Sequence, residues 1–396
     1  MSFDFDTPLD LRRDHCQKWQ GVQNAMAELG ADDDCSNILP MWVADMDFAA
    51  APPIRAALQA EIDRGYLGYF GGPGPVSEAV SGWLARKHAW EVDPGIIRYS
   101  HGVVAGFATT IAAFTEPGDR VILFTPVYHA FFGKLRAMGR AVHESPLALS
   151  EGRYEMDLDA LAASLTGQEK VLVLCSPHNP GGRLWSTDEI RAVAAFCEAH
   201  DLLMISDEIH MDLTFPNVPF HPAATAAPEV LPRLVVLTAA SKGFNIAGGE
   251  TGLAIIPDDS LRARFDASAR IMGGTPNRFG MAMTKAAFTA GDDWSAAVRA
   301  YLAENFTLWH NRIGALPGIE VMPMQSTYLS WVNFENTGMA PAEVRERLLK
   351  TAEVAPNAGK DFGTGGESWN RFNIAMPKSL LHDAISRIED AFADLQ

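Results

Sequence analysis

The chain has 396 residues, 47% hydrophobic and 20% charged, the proportions of a globular protein rather than a disordered or fibrous one. Its 32 Lys and Arg against 49 Asp and Glu leave a formal charge of -17 at pH 7. A surface of that sign repels phosphate backbones and anionic lipid, so neither nucleic acid nor membrane is an expected partner.

The opening, "MSFDFDTPLDLRRD", lacks the basic start and apolar middle of an export signal. No later run is apolar for the length of a bilayer, and the cytoplasm is the expected compartment. Cys16, Cys35, Cys175 and Cys197 form no CxxC and no metal spacing. "GGPG" (71–74) follows no strand pattern and reads as a loop. "YSHGVVAGFATTIAAFTEPGDR" (99–120) sets glycines immediately before an apolar helix, whose first N–H groups would suit a phosphate.

From there to about residue 260, short apolar runs alternate with longer amphipathic ones. "RVILFT" (120–125), "KVLVLCS" (170–176), "LLMIS" (202–206), "RLVVLT" (233–238) and "GLAIIP" (252–257) read as buried strands. "STDEIRAVAAFCEAH" (186–200) opens with Ser186 and Glu189 at capping-box spacing and keeps a helical apolar face. Such strands separated by helices predict an α/β fold with a mainly parallel sheet covered on both faces. After about residue 285 come a long helix (294–316), strands at 327–334 and 371–376, and helices at 340–352 and 380–395, a smaller α+β domain. The expected division is an arm, 1–50, joining the small domain, a large domain, 51–285, and the small domain, 286–396. The cleft between the two domains is the expected binding site.

Asn179, Asp207 and Lys242 each fall just past the C-terminal end of a predicted strand, the edge at which open α/β sheets bind ligands. Lys242, in "ASKGFNIAGG", is either a salt-bridged structural residue or an amine that burial makes nucleophilic enough to form a Schiff base. Asp207, in "ISDEIHMDL", either caps the next segment or is the buried anion that keeps the ring nitrogen of pyridoxal phosphate protonated. His210 is a half-buried polar residue or a donor to the phenolic oxygen of such a ring. No third ligand accompanies the Asp-x-x-His spacing, so no metal is expected. Asn179, in "CSPHNPGGRLW", makes a turn and can still offer its amide to a cofactor or a substrate carboxylate. Tyr128 either packs or stacks on a flat cofactor. Arg371, in "SWNRFNIAMP", is either a surface ion pair or a bidentate grip on an α-carboxylate.

Five ordered strings, "LPMWVADMDF" (39–48), "CSPHNPGG" (175–182), "SDEIHMDL" (206–213), "SKGFNIAG" (241–248) and "QSTYLSW" (325–331), carry a resemblance that covers essentially the whole chain. They resemble the fold-type I pyridoxal-phosphate enzymes of the aspartate-aminotransferase superfamily. More narrowly, they resemble the MalY/PatB branch of cystathionine β-lyase-like C–S lyases. The resemblance implies a seven-stranded, mainly parallel sheet in the large domain. It implies pyridoxal 5'-phosphate bound covalently to Lys242, which also moves the substrate proton, with Asp207 on the pyridinium nitrogen. Asn179 would meet the phenolic oxygen, Tyr128 would stack on the ring, and Arg371 would hold the substrate carboxylate. The amides of Val103 and Val104 would meet the phosphate, with Ser241 or Thr238 supplying a hydroxyl. His210 stands where many relatives carry a tyrosine. Tyr69, in "GYLGYF", would reach the phosphate of the neighbouring subunit in a homodimer with shared active sites. Trp42 and Asp45 would shape the pocket of the amino-acid substrate.

Two positions depart from the family pattern. Ala239 stands where relatives commonly carry a hydroxyl, and "GGETG" brings in Glu250 where many have an arginine or another polar residue. The implied activity is β-elimination of a thiol from L-cystathionine or another cysteine S-conjugate. An aminotransferase would use nearly the same residues, and a pyridoxal-phosphate-binding regulator is a third reading.

Overall fold

The computed structural model describes residues 3–12, 16–27 and 35–395. Stretches 1–2, 13–15 and 28–34 of the expected arm lie outside the described residues. One sheet holds β1 (Ile97–His101), β2 (Arg120–Thr125), β3 (Ala141–Pro146), β4 (Glu169–Cys175), β5 (Leu203–Asp207), β6 (Leu234–Thr238) and β7 (Thr251–Ile255). Its order is β1-β7-β6-β5-β4-β2-β3. Only β7 runs against the rest, antiparallel to both β1 and β6.

Successive residues of a strand point to opposite faces, and here both faces are covered. Val121, Leu123, Val171, Val173 and Ile205 cluster with Phe107 and Ile111 of α1 (Val103–Phe114). Ile122, Phe124, Leu172, Leu174 and Met204 cluster with Ile190 and Val193 of α2 (Thr187–Ala199). Each such side chain contributes about 1.5–3 kcal/mol when fully buried, so the central strands are unbroken apolar runs. Helix α2 starts where its cap dictates: Ser186 Oγ accepts the Glu189 N–H at 3.2 Å, and the Glu189 carboxylate accepts the Ser186 N–H at 2.8 Å. Strands β1 and β3 are the sheet's two edges. Half-covered, they carry Arg98, His101, His143 and Glu144, and so lack the apolar run that marks the others.

A second sheet, β8 (Glu320–Val321), β9 (Leu329–Asn333), β10 (Asn357–Ala358) and β11 (Trp369–Asn373), is antiparallel in the order β8-β9-β11-β10. It packs against α3 (Asp292–Ile313) and α4 (Lys378–Ala391), with the Trp309 and Phe372 rings 5.1 Å apart. The helix expected over 340–352 is a short α-helix, Pro341–Glu346, that widens into a π-helical turn, Arg347–Thr351. Leu39–Pro40 pairs with Val354–Ala355, which ties the N-terminal segment to this unit. Among the described residues, no helix is long and apolar enough to cross a membrane, and no group of three or more His, Cys, Asp or Glu could hold a metal ion.

Candidate active site

The C-terminal edge of the large sheet gathers the polar residues. Asp207 is the last residue of β5, Asn179 lies in the turn after β4, and Lys242 sits on the single helical turn Ala240–Gly243 beyond β6. With Val103, Val104, Tyr128, His210 and Ser241 they line one cavity of about 270 Å³.

Two buried charged groups, Asp207 in the cavity wall and Arg371 behind it, lack the charged partners that burial normally demands. Asp207 is 4% exposed and accepts the Ile209 N–H at 3.2 Å, but belongs to no ion pair among the described residues. Burial raises its pKa to about 6, against the pull of that N–H and of Lys242. Arg371, on β11, is 2% exposed and has no carboxylate partner among the described residues. Its guanidinium donates to Asn179 Oδ1 at 2.9 Å, Asn357 Oδ1 at 2.6 Å and the Trp42 carbonyl at 3.0 Å, and lies 4.9 Å over the Phe362 ring. Its Nε has no acceptor, and burial lowers its pKa to about 10.

Lys242 is half-buried, with Nζ donating to the Ala44 carbonyl at 2.6 Å. Desolvation brings its pKa down from 10.5 to about 8, with Asp45 opposing, Arg371 helping and Asp207 opposing. At neutral pH roughly a tenth of such an amine is unprotonated, far more than in water. His210 is buried with Nδ1 unpartnered. Desolvation, then Lys242 and Arg371, push its pKa down to about 3, so the imidazole is neutral.

At the same C-terminal edge, β1 runs through Gly102 into α1. Gly102 has φ 79°, a left-handed value that favours glycine. The Val103 and Val104 N–H groups lie in the first turn, where no helical carbonyl reaches them and the dipole favours an anion. Ser241 lines the same cavity. The Thr238 hydroxyl instead donates to the Glu208 carbonyl at 3.2 Å, so of the two candidate hydroxyls Ser241 is the one in the cavity. Glu250 also lines it, paired with His101 from the end of β1.

Four expected residues fall outside the lining. Arg371 stands behind Asn179, whose Oδ1 it occupies, which leaves the Asn179 NH2 group to face the cavity. Trp42 meets Arg371 through its carbonyl, while its indole N–H donates to the Lys18 carbonyl at 2.8 Å. Asp45 lies within 3.5 Å of Lys18. Tyr69 is 99% exposed, in a separate depression with Arg278. Sequence reasoning missed His101, which pairs with Glu250, and Tyr328, whose hydroxyl donates to the Ala44 carbonyl at 3.0 Å beside Lys242. Tyr328 lies inside the string "QSTYLSW", the one signal that could have marked it.

A buried anion without a cation, a depressed amine and a helix N-terminus fit a flat aromatic aldehyde with a protonated ring nitrogen and a phosphate. A buried guanidinium without an anion fits the carboxylate of an amino acid. The aminotransferase class I and II family model matches residues 37–388. Cystathionine beta-lyase PatB of Bacillus subtilis is 36% identical over 361 residues, which cover 90% of this chain and 93% of PatB. The crystal structure of cystalysin from Treponema denticola, which contains a pyridoxal 5'-phosphate cofactor, superimposes with TM-score 0.94 at 29% identity over 100% of both chains. A PLP-bound C–S lyase from Staphylococcus hominis superimposes with TM-score 0.90 at 27% identity, over 100% of this chain and 99% of the other. The chain belongs to the aminotransferase class I and II family and has the fold-type I architecture that its sequence implies.

Proposed function

We propose that this protein is a pyridoxal-phosphate-dependent carbon–sulfur β-lyase acting on L-cystathionine or a related cysteine S-conjugate. The observation that carries the reading is a set of incomplete charges: among the described residues Asp207 is buried without an ion-pair partner and Arg371 without an anion, with Asp207 and the Lys242 amine lining one cavity and Arg371 directly behind its Asn179. The names of PatB and of the Staphylococcus hominis C–S lyase support the reaction type.

Bound pyridoxal phosphate supplies an electron sink for negative charge developing at the substrate α-carbon. Asp207 holds the proton on the ring nitrogen that makes the sink effective. Lys242 would hold the aldehyde, and its Nζ would take the α-proton of the substrate. Arg371 grips the α-carboxylate through two N–H groups, orienting the Cα–H bond toward that amine. The Asn179 NH2 group and neutral His210 would address the phenolic oxygen, Tyr128 would cover the ring, and Val103, Val104 and Ser241 would hold the phosphate. The Cβ–S bond then breaks with its electron pair on sulfur, and aminoacrylate hydrolyses to pyruvate and ammonia.

We also propose a homodimer in which Tyr69 enters the partner's site. Its complete exposure, beside exposed Ile62, Tyr66 and Leu67, supports this arrangement. The division into arm 1–50, large domain 51–285 and small domain 286–396 is proposed from the separation of the two sheets, whose strands span 97–255 and 320–373. The cytoplasm is the proposed compartment, in keeping with the lack of any disulfide among the described residues.

Incubation of the loaded enzyme with L-cystathionine and a panel of S-conjugates, without any 2-oxo acid, tests the function. Steady release of pyruvate, ammonia and thiol is expected. A strict requirement for a 2-oxo acid would reassign the protein as an aminotransferase.

A further inference from the structure

The segment over Lys242 is fastened along its backbone. The Trp42 carbonyl accepts from Arg371 at 3.0 Å, Val43 from Asn373 at 2.6 Å, and Met46 and Phe48 from Asn245 at 2.8 and 2.9 Å. The Ala44 carbonyl accepts from both Lys242 at 2.6 Å and Tyr328 at 3.0 Å. The side chains are held from the opposite direction by the N-terminal arm. Lys18, on the short helix Gln17–Gln20, has 0% exposure, with Nζ 2.8 Å from Asp47 Oδ1 and 3.5 Å from Asp45 Oδ1. A fully buried ammonium is costly and reaches the surface nowhere, so its contacts are where its effect lies.

We propose that Lys18 is a positioning residue for the active-site amine: it holds the Asp45 carboxylate ionised and fixed beside Lys242, so that the N-terminal arm sets the charge state of that lysine. The inference rests on the role proposed above for Lys242. Asp45 is surrounded by Lys18 and Asp47 from the arm and loop and by Lys242 from the large unit. Lys242 faces Asp45, Arg371 from the small unit and Asp207. Burial already raises the Asp45 pKa, with Lys18 the largest influence opposing it. Without Lys18 the half-buried Asp45 and buried Asp47 carboxylates lose their shared cation, and the Asp45 pKa moves further up. As Asp45 gains proton occupancy, Lys242 loses the strongest influence that favours its ammonium form.

The rate at which apoenzyme takes up pyridoxal phosphate covalently, followed by absorbance from pH 6 to 10, reads the neutral fraction of Lys242. For Lys18→Met the midpoint of this profile moves down by about one pH unit, the lower end of what a lost opposite charge produces. Asp45→Asn moves it the same way, and Lys18→Arg keeps it near the native value. A merely structural Lys18 would lower the thermal midpoint and leave the profile in place. An unchanged or raised profile midpoint in Lys18→Met, with Asp45→Asn lowered, overturns the proposal. Should Lys18→Met fail to fold, Asp45→Asn carries the test, and an unchanged profile midpoint there overturns it equally. Lys242→Ala, run alongside, separates the two readings: covalent uptake persisting in it would defeat the assignment of Lys242 itself.

Discussion

Replacing Arg371 tests the substrate end of the site, and its effect can be sized from its surroundings. The guanidinium is 2% exposed and its three hydrogen bonds all go to neutral oxygens, those of Asn179, Asn357 and Trp42. The substrate α-carboxylate would be its first anionic partner. Truncating one member of a buried charged pair costs about 2–5 kcal/mol. Arg371→Ala should therefore lower kcat/KM by about 30- to 4,000-fold, at about 1.4 kcal/mol per decade, with most of the loss in KM. Folding should suffer less. The variant removes the Arg371 donor from two asparagine oxygens and the Trp42 carbonyl but also removes a buried cation that has no counter-ion among the described residues, and these terms oppose. Arg371→Lys keeps the charge and loses the planar fork, so its kcat/KM should fall between the two. The assay is pyruvate release over a range of substrate concentrations, with cofactor affinity measured separately by fluorescence. An Arg371→Ala enzyme with unchanged KM and weakened cofactor binding would refute the assignment.

Two further outcomes follow from the charges in the cavity. The Lys242 pKa is about 8 in the folded apoenzyme and 10.5 when unfolded, so its burial opposes folding below about pH 8, and that penalty fades as the pH rises to 10.5. Lys242→Met should then stabilise the apoenzyme by about 2 kcal/mol at pH 7, after discounting the lysine's partial exposure, and by little above pH 10; thermal midpoints across that range read it, and a pH-independent difference would contradict it. At the proposed phosphate end, Glu250→Gln removes a carboxylate from the wall of the cavity where the phosphate would sit and weakens the pairing with His101, which should tighten cofactor binding by about fivefold; weaker binding in equilibrium dialysis would mean that Glu250 serves to hold His101 in place.

Much of this fold is legible in the sequence because the central strands β4, β5 and β6 are buried on both faces, and their apolar runs end where chemistry begins. Asp207, Asn179 and Lys242 could be picked out as a group for that reason alone. The edge strands β1 and β3 escape such reading, since an edge needs no second apolar face. The π-helical turn after Glu346 likewise has no periodic signature. The partners of Arg371 are hidden for a different reason: Asn179 lies 192 residues away and Trp42 lies 329 away, and neutral oxygens leave no charge pattern to match. Lys18 is the extreme case, a lysine in a short polar helix whose complete burial only the packing of the arm against the loop reveals.

The most direct measurement is to reduce the cofactor-loaded protein with borohydride, digest it and map the pyridoxyl label by mass spectrometry. Label on the peptide that contains Lys242, and none in Lys242→Ala, is the outcome predicted here. Label on another lysine, or a Lys242→Ala protein with the native visible absorbance, would contradict it.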